Sequence, residues 1–474
     1  MSRVLKDSAM EWSRYNRLFR SERFGPFLYN ALSNTLLELD EAHYGVLEGL
    51  RDHGNGGASA DGSFLALLRE HKALVEAGEE ERLLLARQYA RNALCFETAR
   101  LGLTLFPTLQ CNFRCPYCFE HSQQDGTVMS PETVARLLTF IQGYKDIRHL
   151  SIAWSGGEPL LAFNVIRDIT EKVQALDLDF EGAGLVTNGY LLDGEKIARL
   201  KALNINSIQI TLDGPQDVHD GRRVLAGGGP TFQRILGNVA ALMDSPYEGS
   251  CAIRVNIDKH NLDGFLELRA ALVERFRGKR LSVNAGHVDT TLGYATDHSC
   301  SLDQREWADF TFALHREGVR LPSRGFYPGA NADSICVATA HLGFVIGPEG
   351  ELYKCWADVG RPAMVIGNVH EEEPVTNPAL RAQYHTGTDA YSDPACRACD
   401  VLPICGGGCA SKRLRARQFG EAGLEYCSPY RDHLVPYLEA YYDTFRSVEL
   451  CAAVLREGSE KQDGRGYRVV SPER

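Results

Sequence analysis

Six apolar runs, at 101–106, 150–154, 182–187, 207–212, 251–257 and 281–287, recur along the chain with amphipathic stretches between them. Runs of this length read as buried strands, and the stretches between them as helices. Ser130 stands before Pro131 and Glu132, a capping residue followed by a first-turn proline. Val134, Leu137, Leu138 and Ile141 then line one helical face. Asp193 and Thr231 stand where later helices would need caps. Strand–helix alternation implies a parallel sheet with helices as crossovers. Six units predict an α/β fold, a partial (β/α)6 TIM-like barrel with its ligands at the C-terminal strand ends.

The polar motifs fall at those ends or on the strands leading to them. After the first run come Cys111, Cys115 and Cys118, a C-x3-C-x2-C loop with Tyr117 before the last thiol. Such thiolates can each hold one iron of a cubic 4Fe-4S cluster. A cube normally takes four cysteines, so one iron is left open. A zinc site is the alternative, but zinc sites usually show paired doublets and four ligands. Ser155-Gly156-Gly157-Glu158-Pro159 follows the second run. Its glycines let backbone approach a ligand closely, and Glu158 can accept hydrogen bonds from an ammonium group. Thr187-Asn188-Gly189 follows the third run. Thr211-Leu212-Asp213-Gly214-Pro215, then His219-Asp220 and Arg223, follow the fourth. Arg254 and Asn256 alternate with apolar residues on the fifth, so their side chains are expected to point into the barrel.

Residues 288–330 are less patterned, with one helix near 303–316. Cysteines then thicken: Cys336, Cys355, Cys396-x2-Cys399-x5-Cys405-x3-Cys409 and Cys427. Cys405-Gly406-Gly407-Gly408-Cys409 can bend tightly around a cluster. A zinc ribbon is the alternative for the C-x2-C pair. Residues 1–98 read as strands near 14–19, 25–29 and 35–39 and a helix capped by Asp40. Beyond the Gly-rich stretch 54–62, two more helices are expected near 64–76 and 80–93. This α+β module is either a cap on the barrel or a docking module for a peptide, which an exposed strand edge can bind. The segment after Gly458 is polar and reads as disordered. The expected domains are thus 1–98, 99–330, 331–440 and a tail, 441–474.

Composition narrows the partners. A formal net charge of −11 argues against a nucleic-acid partner. No uninterrupted apolar run of ~18 residues is present, which excludes a membrane helix. Met1–Asn16 lacks the pattern of a signal peptide. Fourteen cysteines without such a signal point to metal or catalysis in a reducing, cytoplasmic compartment.

The Cys111–Cys118 loop with Gly156-Gly157-Glu158-Pro159 resembles the signatures of the radical S-adenosylmethionine (SAM) enzymes, and the seven later cysteines resemble their SPASM extension. The resemblance covers about 101–430. It implies that the open iron chelates SAM and that reduction yields a 5′-deoxyadenosyl radical. It further implies that Tyr117, Gly156, Gly157, Glu158, Asn188, Thr211 and Arg223 line the SAM site. Of two auxiliary 4Fe-4S clusters, one would use Cys396, Cys399, Cys405 and Cys427. The other would use Cys336, Cys355 and Cys409, with one position left for Cys300 or a substrate thiolate. The implied activity is modification of a ribosomally made precursor peptide, forming a thioether or other crosslink, with a reductant such as flavodoxin or ferredoxin. Sulfatase maturation is the alternative activity. Those enzymes typically carry Asp directly after the cysteine matching Cys355, where this chain has Trp356, leaving Asp358 as a candidate base. A non-catalytic iron–sulfur electron carrier is a further alternative, but it would need no SAM motifs.

Overall fold

The structure, a computed structural model, describes residues 10–53, 61–118, 120, 126–288, 300–319, 326–329, 335–455 and 466–471. Most of the Gly-rich 54–62 stretch lies outside these residues.

The N-terminal module holds strands β1 (Met10–Trp12), β2 (Asn16–Ser21), β3 (Gly25–Asn30), β4 (Thr35–Leu39) and β5 (Leu74–Glu76), with helices α1 (Glu41–His53), α2 (Gly62–Glu70) and α3 (Glu79–Cys95). β2, β3 and β4 form an antiparallel meander, and β1 pairs with β5. The helix expected over 64–76 ends at Glu70. Lys72 takes a positive φ of 59° there, and the chain turns into β5. Alternation along β3 divides the core. Leu28 packs with Leu37, Leu47 and Phe64, whereas Phe27 and Tyr29 pack with Val401, Leu402, Ile404, Leu438 and Tyr442. The module is therefore seated on the C-terminal cysteine region. Arg87 Nη1 donates to Pro403 O at 3.4 Å, Arg91 Nη1 to Gly406 O at 3.2 Å and Gln88 Nε2 to Asp389 Oδ2 at 2.7 Å.

The six expected barrel strands are β6 (Arg100–Leu105), β7 (His149–Trp154), β8 (Asp179–Thr187), β9 (Ile205–Thr211), β10 (Ser250–Ile257) and β11 (Leu281–His287), all parallel to their neighbours. Between them run α4 (Pro131–Gly143), α5 (Phe163–Gln174), α6 (Gly194–Arg199), α7 (Gln216–Arg222), α8 (Phe232–Asp244) and α9 (Gly264–Arg275). Ser130 and Asp193 cap α4 and α6 as expected. Thr231 stands at the N-cap of α8, but its side chain makes no capping bond. The Asp220 carboxylate accepts from Thr231 N and Phe232 N instead, at 2.7 and 2.8 Å.

Three later strands extend this sheet from its β6 side. β12 (Gly343–Ile346) lies parallel to β6, and β13 (Glu351–Tyr353) and β14 (Gly367–Asn368) follow antiparallel. The boundary expected at 330 thus does not interrupt the sheet. The boundary expected at 440 falls inside a helix, Tyr430–Leu455. The polar segment after Gly458 is not without structure: β15 (Tyr467–Val469) pairs antiparallel with β4. Polarity misleads there because edge-strand bonds are made by backbone, whatever the side chains. Among the described residues no helix is long and apolar enough to cross a membrane.

Candidate active site

β6 delivers the chain into the Cys111–Cys118 loop. Phe113 and Cys115 point into the core. The loop is stitched to the segment after α7: Arg114 N donates to Val224 O at 2.9 Å, and Ala226 N to Asn112 O at 2.8 Å. Burial, reinforced by the Glu158 and Cys115 charges at Cys111 and by Glu120, Cys115 and Cys111 at Cys118, pushes both thiols up to about 12. One buried and two half-buried thiols this close together ionise jointly at neutral pH only against a cation, and metal binding would release their protons. The Arg223 guanidinium lies close enough to Cys115 to favour its thiolate. Its buried Nε has no hydrogen-bond partner among the described residues. Clustered thiols beside a partly unsatisfied buried cation fit an iron–sulfur cluster carrying an anionic ligand.

The β7 turn closes over this loop. Gly157 N donates to Thr108 O and Glu158 N to Gln110 O, at 3.2 and 2.7 Å. A Cβ on Gly156 would overlap Thr108 O, and one on Gly157 would overlap the carbonyls of Leu109 and Gln110. Both glycines are needed for the backbone of one loop to lie on the other. Glu158, 0% exposed, is held at both carboxylate oxygens. Oε1 accepts from Leu160 N at 3.0 Å and Thr187 Oγ1 at 2.7 Å, and Oε2 accepts from Asn188 N at 2.7 Å. Asn188 Nδ2 donates on to Asn112 Oδ1 at 2.8 Å. Glu158 thereby ties the ends of β7 and β8 to the cysteine loop.

A second network lies at the ends of β9 and β10. Thr211, buried, ends β9. The Tyr117 hydroxyl donates to Asp213 Oδ2 and accepts from Arg223 Nη1 at 2.7 Å. Asp213 Oδ1 accepts from Asn256 N at 3.2 Å. Arg222 forks onto Asp258 at 3.0 and 2.8 Å, with its Nε 3.7 Å from Asp213 Oδ2. Arg254 Nε donates to Asn256 Oδ1 at 2.7 Å, which places this pair at the network's edge. Asp213, 0% exposed, stands in the Thr211–Pro215 motif, but sequence reasoning assigned it no role. Its signal was its place just beyond the end of a strand. His219 lies beneath. Its Nδ1 accepts from Asp213 N at 3.1 Å, so Nε2 carries the proton and donates to Thr231 Oγ1 at 3.0 Å.

The later cysteines gather in two groups. Burial holds the Cys355 thiol well above its ordinary range, and the nearby Asp358 carboxylate, Cys409 and Cys336 add to this. Burial also raises Cys399, with further contributions from Cys405 and Cys427, and Cys396, with a contribution from Cys405. The bend between the groups needs its glycines. Gly406, Gly407 and Gly408 all have positive φ (60°, 102° and 69°), and a Cβ on Gly408 would overlap Tyr426 O. Arg413, 1% exposed, is a second residue the sequence did not flag. It donates to Asp393 Oδ2 at 2.6 Å, to Cys396 Sγ at 3.0 Å and to Gly407 O at 2.8 Å. Asp358 is fully buried, accepting from Tyr384 OH and from Ser411 Oγ at 3.2 Å. Burial raises its carboxyl to about 6. Cys300 O accepts from Lys259 N at 2.9 Å, and Gln304 Nε2 donates to Cys427 O at 3.0 Å. Cys300 is therefore near the end of β10, on a segment that adjoins the four-cysteine group.

Residues 105–272 match the Radical SAM superfamily. The chain carries a radical SAM domain. The chain is 24% identical over 401 residues to a serine-type anaerobic sulfatase-maturating enzyme of Bacteroides thetaiotaomicron, covering 74% of this chain and 94% of the relative. It is 25% identical over 328 residues to the mycofactocin maturase MftC of Mycolicibacterium smegmatis, covering 67% and 79%. Among solved structures, native anSMEcpe with bound AdoMet and a Kp18Cys peptide superposes with a TM-score of 0.57 at 20% identity, covering 74% of this chain and 99% of that one. This likeness supports the partial-barrel fold. The radical SAM family implies SAM and a 4Fe-4S cluster as cofactors.

Proposed function

We propose that this radical SAM enzyme matures a ribosomally made precursor peptide, abstracting hydrogen from one residue and forming a thioether or other crosslink. The observation that carries the reading is the grouping of ten cysteines into sets of three, three and four. Cys111, Cys115 and Cys118 would hold the SAM-binding cluster. Cys396, Cys399, Cys405 and Cys427 would hold a closed auxiliary cluster. Cys336, Cys355 and Cys409 would hold one with a free position. When bound, SAM and its cluster supply the radical that starts the reaction. The chain's own residues supply position. Arg223 offers its unpaired Nε–H to an anionic ligand beside Cys115. Asp213 fixes Tyr117, and Glu158 fixes the turn that lies over the cysteine loop.

The free auxiliary position suits a substrate thiolate, since a metal ion lowers a thiol's pKa. Formylglycine formation is the second reading, and the match to nearly the whole length of the Bacteroides enzyme favours it. Against it, Trp356 stands directly after Cys355, and both oxygens of Asp358 are engaged by Tyr384 and Ser411. The test is anaerobic turnover with SAM, a reduced flavodoxin or ferredoxin, and synthetic cysteine-containing peptides encoded beside the gene. A crosslinked product lacking a pair of hydrogen atoms and resisting thiol alkylation is expected. An aldehyde trapped by a hydrazide would replace this reading with the second.

A further inference from the structure

One guanidinium inside the barrel has no counter-charge. Along β10, Ile253, Val255 and Ile257 are buried with Phe265 and Leu268 of α9. Successive side chains of a strand alternate faces, so Arg254 and Asn256 take the barrel side. Arg254 Nε donates to Asn256 Oδ1 at 2.7 Å, and Nη2 donates to His287 O at 3.4 Å. Nη1 makes no hydrogen bond among the described residues. Arg222, Arg413 and Arg415 are shielded from solvent against Asp258, Asp393 and Glu421. Arg254 forms no ion pair among the described residues. Burial lowers its pKa, and Tyr117 and Asp213 offset this only in part.

The seat for this guanidinium is built into the neighbouring strand. Gly286 stands opposite Asn256 in the β10–β11 register, and a Cβ on it would overlap the Arg254 guanidinium. His287, which lends the carbonyl, is itself held: its ring stacks on Trp307 at 5.0 Å, and its Nε2 donates to Leu302 O at 2.7 Å. The fork is thus fixed in place with its Nη1 edge unused, and such an edge matches a carboxylate. Asn256 Nδ2 also donates to the Tyr117 hydroxyl at 3.4 Å, which accepts from Arg223. Arg223 and Arg254 therefore stand at the two ends of one hydrogen-bonded chain. Arg223, beside Cys115, serves one anionic ligand there, and Arg254 is left for a second. Resting on the reading of the chain as a peptide-modifying enzyme, we propose that Arg254 determines specificity by binding a carboxylate of the precursor peptide. The substrate is then a peptide that carries an acidic side chain, or its own C-terminus, near the residue that reacts.

The probe is the synthetic precursor peptide encoded beside the gene, fluorescently labelled and titrated anaerobically into the reconstituted full-length enzyme with SAM. Versions with single Asp→Asn or Glu→Gln changes, and one with an amidated C-terminus, separate the two sources of the carboxylate. One of these neutral versions should bind the unaltered enzyme about tenfold more weakly than the parent. This comparison needs no variant enzyme. Arg254→Gln should bind the parent and that neutral version alike, and Arg254→Lys should keep part of the preference. Gly286→Ala retains the arginine but displaces its guanidinium, so it should erase the same preference. SAM affinity should be unchanged in all three variants. The proposal is overturned if Arg254→Gln and Gly286→Ala keep the preference. It is equally overturned if SAM affinity falls in place of peptide affinity, which would give this guanidinium to the cofactor. Equal binding of all the peptides by the unaltered enzyme overturns the proposal alone, whereas binding of none overturns the maturase reading with it.

Discussion

Acid should destabilise the radical SAM domain through His219, and the size of the effect follows from the ring's surroundings. His219 is fully buried, and burial first, then the charges of Arg223 and Arg222, lower its pKa from 6.5 to about 3. Its Nδ1 accepts the Asp213 amide, so protonation there breaks a bond that orients the Tyr117–Asp213 pair. The unfolded chain protonates this histidine near 6.5 and the folded chain near 3, so the unfolded state binds more protons between those values. Stability from this group is therefore complete above about pH 6.5 and falls as pH drops towards 3. At pH 5 the loss is about 2 kcal/mol, from roughly 1.4 kcal/mol per unit over about 1.5 units. The assay is urea unfolding of the wild type and of His219→Gln at pH 7 and pH 5, followed by circular dichroism. Gln keeps an amide donor for Thr231 but does not titrate. The difference between the two proteins should shift by about 2 kcal/mol in favour of the variant as pH falls. Parallel pH profiles would refute the reasoning.

Replacing Arg413 with Met leaves Asp393 without its buried partner and removes a donor to Cys396. Arg417 still pairs with Asp393, so about 1–3 kcal/mol of local stability should go, read as loss of roughly four of about twelve irons per chain. Glu158→Ala strands the N–H or O–H groups of Leu160, Thr187 and Asn188, at about 1–3 kcal/mol each. SAM cleavage and the thermal midpoint should fall together, and lost cleavage with an unchanged midpoint would show that Glu158 acts on the cofactor directly. Changing Cys111, Cys115 and Cys118 to Ala together should remove about one third of the iron and all 5′-deoxyadenosine formation. Continued formation of that product would mean the loop is not the cluster site. Cys300→Ala should keep its iron and its activity, whereas loss of one auxiliary cluster would make Cys300 the missing ligand.

Much of this protein was legible because its signals are local. Strands β6, β7, β9 and β10 bury apolar residues at alternate positions, so each reads as a short apolar-rich run whatever it packs against. A C-x3-C-x2-C loop keeps its thiols together by chain geometry alone, and a Gly-Gly-Glu-Pro turn after a strand lies at the sheet's ligand-bearing end in any α/β fold. Ser130 and Asp193 cap their own helices, and they were identifiable for the same reason.

What only the tertiary structure decided depends on contacts between residues far apart in sequence. Asp213 looks like a turn residue until Tyr117, from a loop 96 residues away, donates to it. Arg413 looks like a solvated helix residue until it is seen among the cysteines with Asp393. The seventh parallel strand, Gly343–Ile346, is too short to be told from a loop without its partner β6. The strand at 467–469 is too short to stand out from the polar stretch before it, and it is recognised by its pairing with β4 and the Tyr467 ring beside Phe64. The sequence alone determined which residues must be buried and which thiols stand together on short loops. Which surfaces meet was decided by packing, because a hydrogen bond or ring contact depends on distance in space and leaves no period along the chain.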